Sequence, residues 1–148
     1  MSPRFTNFLP FLYRWECVKD RKGNVIAEND PDDPGGVTKY GIDKASHPKV
    51  DVRNLTEPQA REIYWQEWKA SGAEFMAEGL GEVYFNAFVN CGAGRAPKLL
   101  VGASTADEFL DHQEDFYRRL AASSPKRAKY LKGWLNRTRD LRKFVSSL

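Results

Sequence analysis

Cysteine is scarce in this chain: only Cys17 and Cys91 occur. Two are too few for a disulfide scaffold or a cysteine zinc site, and both are expected as small buried hydrophobes that stay reduced. Histidine is equally sparse. His47 precedes a proline in a loop and His112 stands alone on a helix, so no metal-ligand spacing is present, and no glycine-rich phosphate loop occurs either. Metal catalysis and nucleotide hydrolysis therefore have little to draw on, and neither a cofactor nor a metal is expected. A Ser-His-Asp or Cys-His arrangement stays formally open with nothing in the surroundings of either histidine to favour it. Long apolar runs are also missing, which argues against a membrane crossing. The opening MSPRFTNFLPFLYRW is interrupted by prolines and is followed by no small-residue cleavage site, so a signal peptide is not read there and a cytoplasmic location before any release is expected.

What is present is the composition of one globular domain, expected over residues 1–148, with no repeat or linker. The charge is unevenly spread. Residues 1–74 carry 11 basic and 12 acidic side chains, whereas residues 75–148 carry 12 and 8, placing the cationic excess at the C-terminal end. There KRAKYLKGWLNRTRDLRK, residues 126–143, sets eight cations against Asp140. Such a segment is either a solvated helix face or a contact surface for a polyanion, whether wall polymer, anionic membrane lipid or nucleic acid.

Along the chain, Phe5, Phe8, Leu9, Leu12 and Trp15 recur at helical spacing and predict a short helix over about residues 8–16, capped by Asn7 with Pro10 in its first turn. CVKD and VIAEN flank the turn RKGN and predict a small hairpin, and after the breaker DPDDPGG the run VTKYGI predicts a third strand. The rest reads as helices. Thr56 and Gln59 form a capping box ahead of Ala60, Ile63, Tyr64, Trp65 and Trp68. GEVYFNAFVNCG is apolar on nearly every side and ends at Gly92, which predicts a central buried helix whose Asn86 and Asn90 share one face, either tying neighbouring segments together or lining a polar groove. Thr105 with Glu108 caps a helix over about 106–121, and Ser124–Pro125 opens the last one. The fold class expected is α+β, mostly α-helical, with a small N-terminal β-hairpin sheet.

With metals and nucleophilic triads set aside, carboxylates are left to carry any chemistry. Glu16 falls where the first helix runs out, beside Trp15 and Cys17. The helix C-terminal carbonyls repel negative charge there and apolar packing removes water, so its neutral acid form, a proton donor to a glycosidic oxygen, is favoured. Equally, a glutamate at a helix end is commonly a solvated charge paired with Arg14 or Lys19. The loop NDPDDPGG gathers Asp30, Asp32 and Asp33, and Thr38 follows it into a strand, an anion and a hydroxyl that could steady an oxocarbenium-like centre or orient water. The competing reading is a plain Asx-rich turn.

The order of an acid ending helix one, then NDPDDPGGVTKYGID, NLTEPQAREIYWQEW and FNAFVNCGAGRA, resembles glycoside hydrolase family 108, the lysozyme-like muramidases and endolysins of bacteriophages and bacteria. The likeness covers roughly residues 8–98, leaving 99–148 similar to the closing helices of a shortened peptidoglycan-binding-like segment. It implies a lysozyme-like fold, a peptidoglycan substrate, and cleavage of the β-1,4 bond between N-acetylmuramic acid and N-acetylglucosamine. It also implies Glu16 as catalytic acid; Asp30 and Thr38 as catalytic companions; Asp33, Tyr40, Asn86 and Asn90 as substrate contacts; a monomer; action at the cell wall; and no nucleic-acid partner. The chain departs from the family where W-E-G-G-Y becomes Trp15-Glu16-Cys17-Val18-Lys19, where a family aspartate becomes Asn86, and between Leu99 and Thr105, which is too short for the usual D-G-x-x-G-P-x-T stretch. Inverting and retaining routes both stay open, since carboxyl separations of about 6.5 to 9.5 Å and roughly 5 to 5.5 Å distinguish them. A lysozyme-like protein that binds wall or virion without catalysis, and a nucleic-acid binder using the C-terminal cations, are the competing functions.

Overall fold

The structure, a computed structural model, describes residues 1–29 and 36–148. The expected α+β, mostly helical architecture is present: helices dominate and a small three-stranded antiparallel sheet lies near the N-terminus. The chain forms two compact units, Met1–Glu67 and Trp68–Leu148.

In the first unit α1 spans Pro3–Glu16, five residues longer at its start than the periodicity predicts. The cap is Ser2 and not Asn7: the Ser2 hydroxyl accepts from Phe5 N at 3.2 Å, and Pro3 occupies the first turn, where a missing amide hydrogen costs nothing. Pro10 sits inside the helix and on its exposed side. The carbonyl it deprives of a donor belongs to Thr6, which is also exposed and reaches water. Phe5, Phe8, Leu9, Phe11 and Leu12 form the buried face. The helix stops at Glu16 because Cys17 turns to an extended conformation, its N–H closing the last turn on Tyr13 O at 2.9 Å.

The hairpin predicted around RKGN is reduced to one bridge, Lys19 with Val25. Its turn is held by Asp20, whose Oδ1 accepts from Lys22 N at 2.9 Å and Asn24 N at 3.0 Å, so an Asx-type closure replaces ladder pairing. The sheet proper consists of β1 (Glu28–Asn29), β2 (Val37–Lys39) and β3 (Ile42–Asp43), in that order. VTKYGI is thus two strands and not one. Thr38 pairs with Glu28 on one side and Asp43 on the other, and Lys39 faces Ile42 across a two-residue turn. A 3₁₀ turn at Val52–Asn54 leads to α2 (Glu57–Ser71), whose predicted capping box is formed: Thr56 N donates to Gln59 Oε1 at 3.0 Å and Gln59 N to Thr56 Oγ1 at 3.4 Å.

The second unit contains α3 (Leu80–Cys91), α4 (Ala96–Leu100), α5 (Ala106–Ser123), α6 (Pro125–Ala128) and α7 (Leu131–Ser146). Residues 81 to 87 of α3 are all buried, as its unbroken apolar sequence predicts. Tyr84 packs edge-on to Phe109 of α5 at 5.9 Å, and Tyr117 of α5 stacks on Trp134 of α7 at 4.8 Å. The helix predicted to open at Ser124 breaks after one turn. No residue of α6 is buried, and a helix with no apolar face to pack does not propagate. Among the described residues no helix is long and apolar enough to cross a membrane.

Candidate active site

Glu16 ends α1 half-buried, with its Oε1 shielded from solvent. What stands against it is the turn between β2 and β3. Tyr40 and Gly41 both have positive φ, 56° and 80°, the pattern of a type I′ turn, which matches the right-handed twist of the flanking strands. A Cβ built on Gly41 would lie 2.6 Å from Glu16 Cβ, 2.6 Å from Tyr64 Oη and 3.0 Å from Glu16 Oε2. No side chain fits. Glycine at position 41 therefore satisfies both the backbone angle and the close approach of the turn to the acid.

Tyr64 of α2 fixes that turn from below. Its hydroxyl donates to the Tyr40 carbonyl at 2.6 Å, and its side chain is 1% exposed. Tyr13, one helical turn before Glu16, packs against both neighbours, its ring 5.6 Å from Tyr40 and 6.2 Å from Tyr64. The Tyr13 hydroxyl donates to Glu57 Oε1 at 3.3 Å, and Glu57 in turn receives both Arg61 Nη2 contacts, at 2.8 and 2.7 Å. Burial, followed by the Glu57 charge, pushes the Tyr13 phenol far up, so it is a donor across the ordinary pH range. Burial and then the adjacent Glu16 charge push the Cys17 thiol up to about 11. Cys17 and Cys91 are both free thiols, half-buried where full burial is expected from composition.

The remaining predicted residues fall in three places. Asp30 and Asp33 lie outside the described residues. Thr38 is in β2, two residues before Tyr40, half-buried, its hydroxyl directed at Gly36 O at 3.5 Å. Asn86 and Asn90 belong to α3 in the second unit. Asn86 has no exposed surface, and its Oδ1 accepts from Arg137 Nε of α7 at 2.9 Å, so it ties two helices together. Asn90 is half-buried and donates to Tyr117 Oη, which also accepts from Gln113 Nε2 at 2.9 Å. Among the described residues no group of three or more His, Cys, Asp or Glu is arranged to hold a metal ion.

Gly41, Tyr64 and Tyr13 are the residues sequence reasoning passed over. Gly41 had a readable signal, a Tyr-Gly pair between alternating residues, but Tyr at positive φ is rare enough to hide the turn. Tyr64 read only as part of an apolar helix face.

A small sheet whose turn packs on the last residue of the first helix, followed by a buried helix and further helices, is a lysozyme-like α+β fold. The solved structure of Brucella abortus SagA is similar in fold, with a TM-score of 0.73, 21% identity, and coverage of 97% of this chain and 94% of that one. No curated protein matches the sequence. Residues 17–92 match glycosyl hydrolase 108, and the chain belongs to that family. Membership makes it a glycosidase of the peptidoglycan-hydrolysing, lysozyme-like kind. The match begins directly after Glu16 and takes in the Tyr40–Gly41 turn, Tyr64, Asn86 and Asn90.

Proposed function

We propose that the protein is an N-acetylmuramidase that cleaves the β-1,4 bond between N-acetylmuramic acid and N-acetylglucosamine in peptidoglycan, with Glu16 as proton donor. One observation carries the reading: the family's tyrosine-glycine turn is folded directly onto Glu16, holding its carboxyl where solvent reaches only part of it. A fixed, partly dry acid is what protonation of a glycosidic oxygen requires. Asp30 or Thr38 serves the oxocarbenium-like centre or the attacking water, and Asp33, Tyr40 and Asn90 contact the glycan. The role is that of a phage or prophage endolysin, held in the cytoplasm until release to the wall. The exposed cations of α6 and α7, among them Lys126, Arg127, Lys132 and Arg139, supply affinity for anionic wall polymer.

Purified protein is expected to clear exposed cell walls and release reducing ends, and Glu16→Gln is expected to abolish both. Undiminished release by that variant removes Glu16 from the chemistry. A second reading, a wall-binding protein without catalysis, is favoured by one feature: Cys17, Val18 and Lys19 stand where relatives carry G-G-Y after the acid. Sedimentation with peptidoglycan and no reducing ends from wild type would select it.

A further inference from the structure

Between α1 and the start of α2, within the first unit, lies a cavity of about 510 Å³ that the chemistry at Glu16 does not use. Its floor is apolar, built from Phe5, Leu9 and the ring of Tyr13, while Arg14, Lys19 and Arg61 stand around it with Glu57 as their one carboxylate. Glu57 is engaged by Arg61 and by the Tyr13 hydroxyl, and Lys19 adds an exposed cation beside the oily base. Lys19 is exposed, and the Arg61 side chain is 48% exposed. An occupant complementary to this lining carries carboxylates on a short chain with small apolar groups between them.

One wall of the cavity belongs to α1, the helix that ends in the acid. Tyr13 precedes Glu16 by three residues, about 4.5 Å along the helix axis, and Lys19 follows it by three. In peptidoglycan the peptide stem hangs from the lactyl group of muramic acid, the same sugar whose bond the proposed reaction breaks. The stem must therefore leave the glycan within one ring of Glu16. Its chemistry is close to that complement: alanine methyl groups, free carboxylates on the glutamate and at the stem's end, and one amine on the third residue, which leaves the glycan-bound stem net anionic.

We infer that the α1–α2 cavity is a subsite for the anionic peptide stem, with a stem carboxylate at Lys19 and alanine methyls on Phe5, Leu9 and Tyr13. The inference rests on the muramidase reading and adds a specificity to it: the enzyme distinguishes stem-bearing from bare glycan. Stem recognition lowers KM and leaves the protonation step to Glu16.

The test compares cleavage of intact peptidoglycan fragments with the same glycan strands after an amidase has removed their stems, using wild type, Lys19→Glu and Thr6→Trp. Thr6 is exposed on the cavity wall, and its replacement fills the space without touching a charge. The expected result is a preference for stem-bearing strands of about fivefold or more in kcat/KM, the scale of one exposed ion pair, falling toward one in both variants through KM. A wild-type ratio near one, or a ratio both variants leave intact, overturns the subsite. Should wild type cleave neither substrate, the muramidase reading fails separately. The subsite is then read by titrating the N-acetylated peptide N-acetyl-L-Ala-γ-D-Glu-L-Lys-D-Ala-D-Ala, whose blocked terminus mimics the lactyl amide and leaves the peptide net negative: binding that Lys19→Glu abolishes upholds it, and no binding, or preferred binding of oleate, overturns it.

Discussion

Gly41 lies so close to Glu16 that a single added methyl group would fall 2.6 Å from the Glu16 Cβ. The turn and the acid are thus one packed unit, and Gly41→Ala must displace one or the other. Displacement of about 1 Å at a catalytic group costs on the order of 10²-fold in rate. Forcing alanine to φ 80° adds roughly 1–3 kcal/mol of strain. Gly23 is the internal control, since it has φ 83° with nothing within 4 Å of its missing Cβ. Gly23→Ala is expected to lose stability in a thermal melt and keep its rate of reducing-end release, whereas Gly41→Ala loses both. Equal behaviour of the two variants would show that the contact with Glu16 is irrelevant to catalysis.

Tyr64→Phe removes the hydroxyl that holds the Tyr40 carbonyl and is expected to cost about 1–3 kcal/mol by leaving that acceptor without its donor. Because the same hydroxyl would be 2.6 Å from a Cβ at position 41, deleting it also makes room. The double variant Tyr64→Phe/Gly41→Ala is expected to lose less stability than the two single variants added together. Additive losses in chemical denaturation would mean that the two residues do not share the space the geometry gives them.

Much of this architecture can be read from local chemistry, and the unread parts have physical reasons. The caps at Thr56–Gln59 and Thr105–Glu108 work as their sequence pattern dictates, because each depends only on residues three apart. Ser2 escapes the hydrophobic repeat because that repeat marks the buried face from Phe5 onward and carries no signal from the exposed Pro3 and half-buried Arg4 that open α1. The split of VTKYGI depended on Tyr40 taking a positive φ, a choice that the approach of Glu16 and Tyr64 stabilises and that no nearest-neighbour propensity encodes. Glu16 itself was legible as a helix-end acid. Its clasp was not, since Tyr64 lies 48 residues further on and reveals its role only through a hydrogen bond to backbone.

The Cys17 thiol offers a pH readout of the same corner. Its folded pKa is raised from the ordinary 9 to about 11, by burial first and by the Glu16 charge second. Between those values the folded thiol keeps a proton that the unfolded chain has lost. Rising pH therefore favours unfolding: the contribution is complete below about pH 9 and is lost as pH climbs through about 11. In a Cys91→Ala background, iodoacetamide is expected to react with the folded protein along a titration centred near 11. Glu16→Gln should move that centre downward. A centre unchanged by Glu16→Gln would mean the carboxyl is not beside the thiol.

Asn86→Ala separates structure from recognition at a position where the family resemblance implies a substrate contact. The side chain is fully buried and bonded to Arg137, so truncation leaves a buried guanidinium short of an acceptor, at a cost of roughly 1–3 kcal/mol. KM for peptidoglycan per folded molecule is expected to stay at the wild-type value. A raised KM with an unchanged melting temperature would return Asn86 to the substrate site.

Eight cations in residues 126–143 look like one polyanion-binding face, but the structure divides them by partner. Arg137 is buried against Asn86, and Arg142 is held by Asp107 and Asp111, each at 2.8 Å, and by Glu114 at 2.9 Å. Those two serve the fold. The other six are exposed and form the share available to a polymer, Lys126, Arg127, Lys132 and Arg139 among them. Changing these four to glutamine is expected to weaken binding to purified teichoic acid and flatten its salt dependence, because fewer screened charges remain to attract the chain. Stability should move by no more than about 0.5 kcal/mol. Arg142→Gln is expected to do the opposite, costing about 1 kcal/mol through its partly exposed network while leaving polymer affinity near wild type. If both sets of changes weakened binding alike, net charge alone would govern wall affinity, and the division by partner would carry no functional meaning.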